Sequence, residues 1–415
     1  MSPVIVNPGS TRLRARTVAV EDPGRLTDYM TERDCACFLH HGDGVVGIGE
    51  IARFETDSPA AADVWWEAFC AEVENETEMP GVYGTGPLAF GSFAFDPDRS
   101  ASQSVMVVPR TVIGRRYGTS WLTQLSYDRV DTAPPRPQPP ARVPSGVRLG
   151  DGTVDSRRWL EISAHAREFM SRDGLESLLL MRDLLARADE EVDPRWIVGR
   201  LTARFPGAWT YLVEGAVGST SKLTVQVKDS LVTSRALSHL PPRRQGDVEG
   251  LLDTLTGSGP AARAHAATVA WTRETLMPFC RAVHHPEAPG IVVSPDASYL
   301  VTDLAGVAGE HTTSLGLVDA LHPTPFVSGT PPWQAAAALA EIEELDRGRV
   351  SGPVGWIDSL GNGQWVTDSR GAQIDRTDPR QVHMFAGIPV SPTESCDDAA
   401  DLDLRMAVLR ALALD

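Results

Sequence analysis

The sequence predicts an α+β fold, and three observations carry the prediction. Short β-rich stretches such as Gly44–Ile51 and Ser104–Ile113 alternate with glycine turns. The segment Ala61–Glu74 is spaced as an amphipathic helix. Beyond the run Ala133–Pro144, APPRPQPPARVP, strand-like and helix-like segments are mixed again. That run has prolines too closely spaced for a helix and reads as an extended, polyproline-like linker. It divides the chain into an N-terminal α+β part, 1–132, a linker, 133–144, and a larger C-terminal part, 145–415.

Each later element has a local reason. Ser156–Ser171 has helical apolar spacing, Leu175–Leu180 is a mostly apolar run, and Pro194–Phe205 reads as a second helix. Trp209–Val213 and Lys222–Val227 read as strands, and Asp247–Leu255 and Ala262–Val283 as helices. Pro332–Leu345 is Ala-rich, with proline at its first position and Gly348 just past its end, the composition of a well-delimited helix. No internal repeat is visible.

Composition removes several classes of function. The chain has 415 residues, 42% of them hydrophobic, enough to bury a large core. A formal charge of -17 without a run of Lys or Arg argues against nucleic acid and anionic membrane as partners, because phosphate binding needs a concentrated basic face. Cys35, Cys37, Cys70, Cys280 and Cys396 show no paired metal-ligand spacing, and an odd number suits no disulfide framework. Residues 1–20 have no apolar stretch of the signal-peptide kind, and no membrane-length apolar run follows. The expectation is a cytoplasmic monomer or weak dimer that acts on a small molecule and needs no cofactor.

The stretch Leu321–Pro331, LHPTPFVSGTP, followed by Asp346–Trp356, DRGRVSGPVGW, carries a resemblance. Gly86–Pro97 (GPLAFGSFAFDP), Met181–Ala188 (MRDLLARA), Leu231–Leu237 (LVTSRAL) and Phe385–Gly387 (FAG) extend it. From about residue 80 to the C-terminus the chain resembles the chorismate-utilising family, the isochorismate, salicylate and anthranilate synthases, with an isochorismate synthase flavour. The resemblance implies two layered α/β halves with large antiparallel sheets, outer helices and a site between the halves. It also implies water attacking C2 of chorismate as the C4 hydroxyl leaves, with a Lys base, a Glu acid and a carboxylate-held magnesium ion.

Position by position, the chemistry of that family is missing. Its base falls on Ser177 and its acid on Lys222, in the turn Thr220-Ser221-Lys222. Its Ala-Gly-Thr segment becomes Ser238-His239-Leu240, and a magnesium-binding Glu becomes Ala264 in GPAARAH, where His265 persists. By ungapped alignment the family's C-terminal glycine, two acids and lysine fall on Pro389, Ala399, Leu402 and Met406, with Asp398 and Asp401 one residue away. Its carboxylate-binding arginine survives as Arg370. The implied pocket is therefore lined by Ser177, Leu240, Tyr299, His322, Thr324, Arg370, Gly387, Pro389 and Met406 and has no metal site.

Lys222, His239 and Arg370 are the candidate catalytic groups: His239 as a base near neutral pH, Lys222 as an anion holder or donor, and Arg370 as an untitratable anchor. Against each stands a plainer role. His322 and His265 suit hydrogen-bonded structural positions equally well, and His284-His285 suits a surface pair, since neighbouring side chains diverge. LHPT and GPVGW are also what a crowded sheet core requires.

Removing a general acid or base costs about 10²- to 10⁴-fold, which disfavours ordinary isochorismate synthesis. Two readings follow. One is a repurposed, metal-independent isomerase, cyclase or lyase, possible pericyclic chemistry included, acting on a less polar intermediate in bacterial secondary metabolism. The other is a non-catalytic relative that binds a metabolite or a partner.

Overall fold

Strand-length apolar runs, rather than long helices, dominate the chain, and they pair into two large sheets. The computed structural model describes residues 12–240, 260–293 and 298–392. Among these, the larger sheet has 13 strands. Its path begins Arg148–Asp151, Ser177–Arg187, Gln381–Val390, Arg370–Ile374, Ala216–Thr220 and Trp209–Val213. It continues through Cys35–His40, Asp43–Ile48, Thr111–Arg116, Thr119–Ser126, Arg14–Ala19 and Glu74–Thr77, while Gly329–Thr330 pairs with Ser177–Arg187. The second sheet has 10 strands. Its path runs Cys280–His284, Ser298–Ala308, Leu231–His239, Leu223–Lys228, Gly363–Val366, Val354–Asp358, Leu88–Ser92, Ser104–Val108 and Ala52–Thr56, with Gly290–Val293 on Ser298–Ala308.

Among the described strands pairing is antiparallel except between Arg14–Ala19 and Glu74–Thr77. The α+β class and the large antiparallel sheets are as the sequence implied. Strands from both sides of the proline-rich run enter each sheet, and residues 133–144 form neither helix nor strand. That run is tied down by Gln138 N–H to Asp28 O at 2.7 Å and Arg142 N–H to Asp193 Oδ2 at 3.1 Å.

Most helices lie where the sequence places them, Ser314–Leu321 being an addition, and four of the described helices are opened by a side-chain cap. Ser58 caps Pro59–Ala71, Asp155 caps Ser156–Asp173, Asp193 caps Pro194–Arg204 and Thr313 caps Ser314–Leu321, each accepting a backbone N–H that has no helical partner. One expected helix is shorter. Ala262–Val283 was read as a single helix, but it spans Pro260–Leu276 and Cys280–His284 is a strand on Ser298–Ala308. Pro278 is the reason, because its ring clashes with the preceding turn and its nitrogen donates no hydrogen bond. The helix expected at Asp247–Leu255 lies outside the described residues.

The glycines of the GPVGW segment are explained by crowding. A Cβ on Gly355 would sit 2.0 Å from Gln364 O, and one on Gly352 would sit 1.9 Å from Phe93 O. Neither position admits a side chain. Among the described residues no helix is long and apolar enough to cross a membrane.

Candidate active site

Residues 322–330 cross from the helix Ser314–Leu321 to the short strand Gly329–Thr330 and bring the two sheets' candidate residues together. Arg347 fixes this crossing. Its guanidinium donates to both Glu343 carboxylate oxygens at 2.7 and 2.6 Å, to Val327 O at 2.7 Å and to Leu179 O at 2.6 Å, and it lies 4.2 Å over the Phe95 ring. Helix end, signature segment and the Ser177–Arg187 strand thus share one buried ion pair.

Strand alternation then selects the lining. Along Leu231–His239, Leu237 and His239 share one face, while Ala236 and Ser238 point to the other. His239 pairs in register with Tyr299 across the sheet. Its ring lies flat on Phe326 at 4.9 Å and is tilted against Tyr299 at 5.3 Å. Leu237, Tyr299, Phe326 and Val327 form one buried cluster, with Phe95 packed against it.

From the opposite sheet, Arg370 donates from Nη2 to the Tyr299 hydroxyl at 2.5 Å, and its own N–H is held by Asp368 Oδ1 at 3.0 Å. Gly387 lies beside it, donating its N–H to Ser369 O at 2.6 Å. A Cβ on Gly387 would meet Leu179 at 2.6 Å, so packing alone requires glycine there.

The histidines of this group are neutral. Burial, with a smaller contribution from Arg370, pushes His239 down to about 3, so it is neutral at pH 7 rather than the near-neutral base the sequence suggested. Burial likewise holds His322 at about 4. Its Nε2 lies 2.9 Å from Phe95 O, a carbonyl that can only accept, so Nε2 carries the proton and Nδ1 is a bare acceptor. Among the described residues, Nδ1 of His322, Nε2 of His239 and Oγ1 of Thr324 are all buried without a hydrogen-bond partner.

Lys222 and His265 form a second polar group. Lys222 is buried, its Nζ donates to Arg235 O, and burial, followed by the nearby Arg235 charge, lowers it to about 7. His265 has both ring nitrogens engaged, with Ser238 Oγ and Thr302 Oγ1, each at 2.9 Å. That is a structural histidine. The structure therefore brings His239, Tyr299, Phe326 and Arg370 together, and places Lys222 with His265 instead.

The remaining predicted residues are distributed more widely. Ser177 is half-buried and pairs with Thr330, Leu240 is buried, and Pro389 is exposed beside Leu179. Met406, Ala399, Leu402, Asp398 and Asp401 lie outside the described residues. Phe326 and Phe95 were not anticipated, although both stand inside quoted motifs and Phe326 is two positions from Thr324. The pair His284-His285 is exposed, as a surface pair should be.

Ala264 is exposed on its helix and offers no oxygen, and among the described residues no group of three or more His, Cys, Asp or Glu side chains could hold an ion.

A sequence model described as chorismate binding enzyme matches residues 127–391. The chain belongs to this family. Among curated relatives, a provisionally named isochorismate synthase MenF of Mycobacterium tuberculosis is 28% identical over 352 residues, 80% of this chain and 88% of that protein. The vibriobactin-specific isochorismate synthase of Vibrio cholerae is 26% identical over 309 residues, 72% of each chain. Among solved structures, MenF, the menaquinone-specific isochorismate synthase of Escherichia coli, aligns with a TM-score of 0.78 at 16% identity, covering 97% of this chain and 95% of that one. The fold of the chorismate-binding enzymes is thus shared along nearly the whole chain, and the chain is isochorismate synthase-like in sequence.

Proposed function

We propose that this isochorismate synthase-like chain uses the family's pocket for a metal-independent isomerisation, cyclisation or elimination on a substrate less polar than chorismate. The observation that carries the reading is a guanidinium set against aromatic rings and a neutral histidine. Arg370 meets His239, held neutral by burial, and an aromatic wall of Tyr299 and Phe326, with Asp368 at its own backbone N–H. A dianion would be poorly solvated beside one arginine and several rings, whereas a largely apolar molecule with one carbonyl or carboxylate gains from burial there. Catalysis would rest on positioning and on Arg370 stabilising a developing oxyanion. Lys222, a lysine where the family places its acid, is a secondary donor near neutrality and not a carboxylic acid.

The names of the curated relatives favour a second reading, conversion of chorismate to isochorismate. One experiment separates them: chorismate with and without magnesium, products resolved by chromatography. Magnesium-dependent isochorismate formation at a rate typical of enzymes, about 1 s⁻¹ or more, would replace the proposal with the second reading. Absence of turnover, together with binding of apolar monoanions that Arg370→Ala abolishes, supports it.

A further inference from the structure

One aromatic ring stands between the candidate site and open space. Phe95 is half-buried and packs against two apolar clusters. One holds Leu237, Tyr299, Phe326 and Val327; the other forms where the helix Pro332–Ile342 meets the Ser177–Arg187 strand. The backbone of Phe95 is pinned on both sides: its N–H donates to Gly348 O at 2.9 Å, and its carbonyl accepts His322 Nε2 at 2.9 Å. The Arg347 guanidinium lies 4.2 Å over the ring, and the His322 ring meets it edge-on at 5.6 Å. A ring held at its face and its edge is a fixed wall.

Phe95 and Arg347 also line a half-open cavity of 340 Å³. Ala336, Leu339 and Ala340, spaced i, i+3, i+4 on the helix, give it an apolar floor. Its carboxylates are largely used by the fold. Glu343 is held by Arg347, Glu344 by Arg158, and Asp346 accepts the N–H groups of Ala101 and Gly348, while Asp96 and Arg99 offset one another in formal charge. The cavity therefore offers space and apolar surface rather than a recognition group of its own.

Contacts run continuously from the anchor to this wall: Arg370 to the Tyr299 hydroxyl, Tyr299 to Phe326, and their cluster to Phe95. We propose that Phe95 is the residue that sets ligand length, its ring closing the pocket at the end away from Arg370 and dividing it from the cavity along Pro332–Ile342, so that the ligand is a compact, one-ring monoanion. This rests on the reading of Arg370 as the anchor of an apolar monoanion. With the ring removed, site and cavity join. A chain on the ligand's ring then extends over Ala336, Leu339 and Ala340 and gains roughly four-fold in affinity per buried methylene.

Calorimetric titration of the full chain, of Phe95→Ala and of Phe95→Leu with 3-phenylpropanoate, 5-phenylpentanoate and 7-phenylheptanoate tests the assignment. In the parent the shortest probe is expected to bind tightest. In Phe95→Ala the order reverses, the longest probe gaining about ten-fold or more over the parent, and Phe95→Leu falls between. A second readout needs no ligand: diethyl pyrocarbonate labels unprotonated imidazole nitrogens that solvent reaches, and peptide mass spectrometry locates them. His322, whose Nδ1 is buried, should be protected in the parent and labelled in both variants, while His265 stays protected and the exposed His284-His285 pair is labelled in all three. Should Phe95→Ala lose its fold, seen as labelling of His265, Phe95→Leu carries the test. An unchanged length preference in the variants, or a His322 that stays protected, overturns the proposal and leaves the Arg370 reading standing. If no probe binds any of the three proteins, the Arg370 reading fails and the proposal with it.

Discussion

Two histidines, one on a strand and one on the helix packed beside it, are both neutral, and they are neutral in different ways. His265, on the helix Pro260–Leu276, has a hydrogen-bond partner at each ring nitrogen. His239, at the end of Leu231–His239, is stacked on Phe326 with Nε2 buried and unpartnered. A ring whose two nitrogens are satisfied contributes to folding. A ring left with an open bond contributes little to folding, and that open bond is available to a ligand once the pocket is entered. Arg347, by contrast, is engaged by protein oxygens at several of its nitrogens, while Arg370 reaches across the sheets to a tyrosine hydroxyl.

The saturated side of this comparison should dominate stability. Arg347→Ala leaves Glu343 buried without its partner and frees two carbonyls, and should cost about 3–5 kcal/mol of unfolding free energy, measured by denaturant titration. A loss below 1 kcal/mol would show that the crossing segment is held by something other than this ion pair.

Acid should reveal the buried histidines together. His40, His239, His265 and His322 are held at about 4, 3, 4 and 4, below the usual 6.5, chiefly by burial. Below pH 6.5 the unfolded chain takes up protons that the folded chain refuses, so stability is complete above that pH and falls as pH drops toward 4. Asp358, raised to about 6 by burial, acts in the opposite direction, since its folded form binds a proton more readily than the unfolded one, and it offsets part of the loss. Melting temperature should fall steadily from pH 6.5 to 4; a flat or rising profile would contradict the neutral assignment of these rings.

The matched substitution on the structural histidine is His265→Phe. It keeps a ring but strands Ser238 Oγ and the buried Thr302 Oγ1, and should cost about 2–4 kcal/mol. Without that cost, His265 would have to join His239 on the ligand side of the comparison.

How much of this could be read from sequence follows the same boundary. Periodicity and proline placed most of the strands and helices, because local sterics and apolar spacing decide them; Pro278 was visible and simply given too little weight. LHPT and GPVGW located the crossing segment and the crowded glycines at Gly352 and Gly355. Arg370 was legible as the arginine that the family resemblance places in TDSRGAQI. Which residues meet was not legible. Lys222 is separated from Arg370 by strand direction, and Phe326 reaches His239 from 87 positions away in the chain, a pairing set by sheet packing rather than by spacing.

Arg370→Ala sharpens the functional half of the comparison. It removes a charged hydrogen bond, so binding or turnover of the true ligand should weaken by about 1.5–3 kcal/mol, with little change in melting temperature. A large loss of folding with no effect on ligand handling would place Arg370 with Arg347 as a scaffold group.

The smallest effect is expected at the most informative position. In His239→Phe the new ring can stack on Phe326 as the imidazole does, and the substitution deletes a buried nitrogen that has no protein partner. Removing a polar atom that makes no bond relieves a desolvation penalty, so stability should stay within about 1 kcal/mol of the parent, or rise. Ligand affinity is the discriminating readout, because a substrate hydroxyl or carbonyl that pairs with Nε2 loses that bond in the variant. Unchanged stability with at least five-fold weaker binding assigns His239 to the ligand. A cost above 2 kcal/mol would mean that Nε2 already has a partner within the fold, and the contrast between the two histidines would disappear.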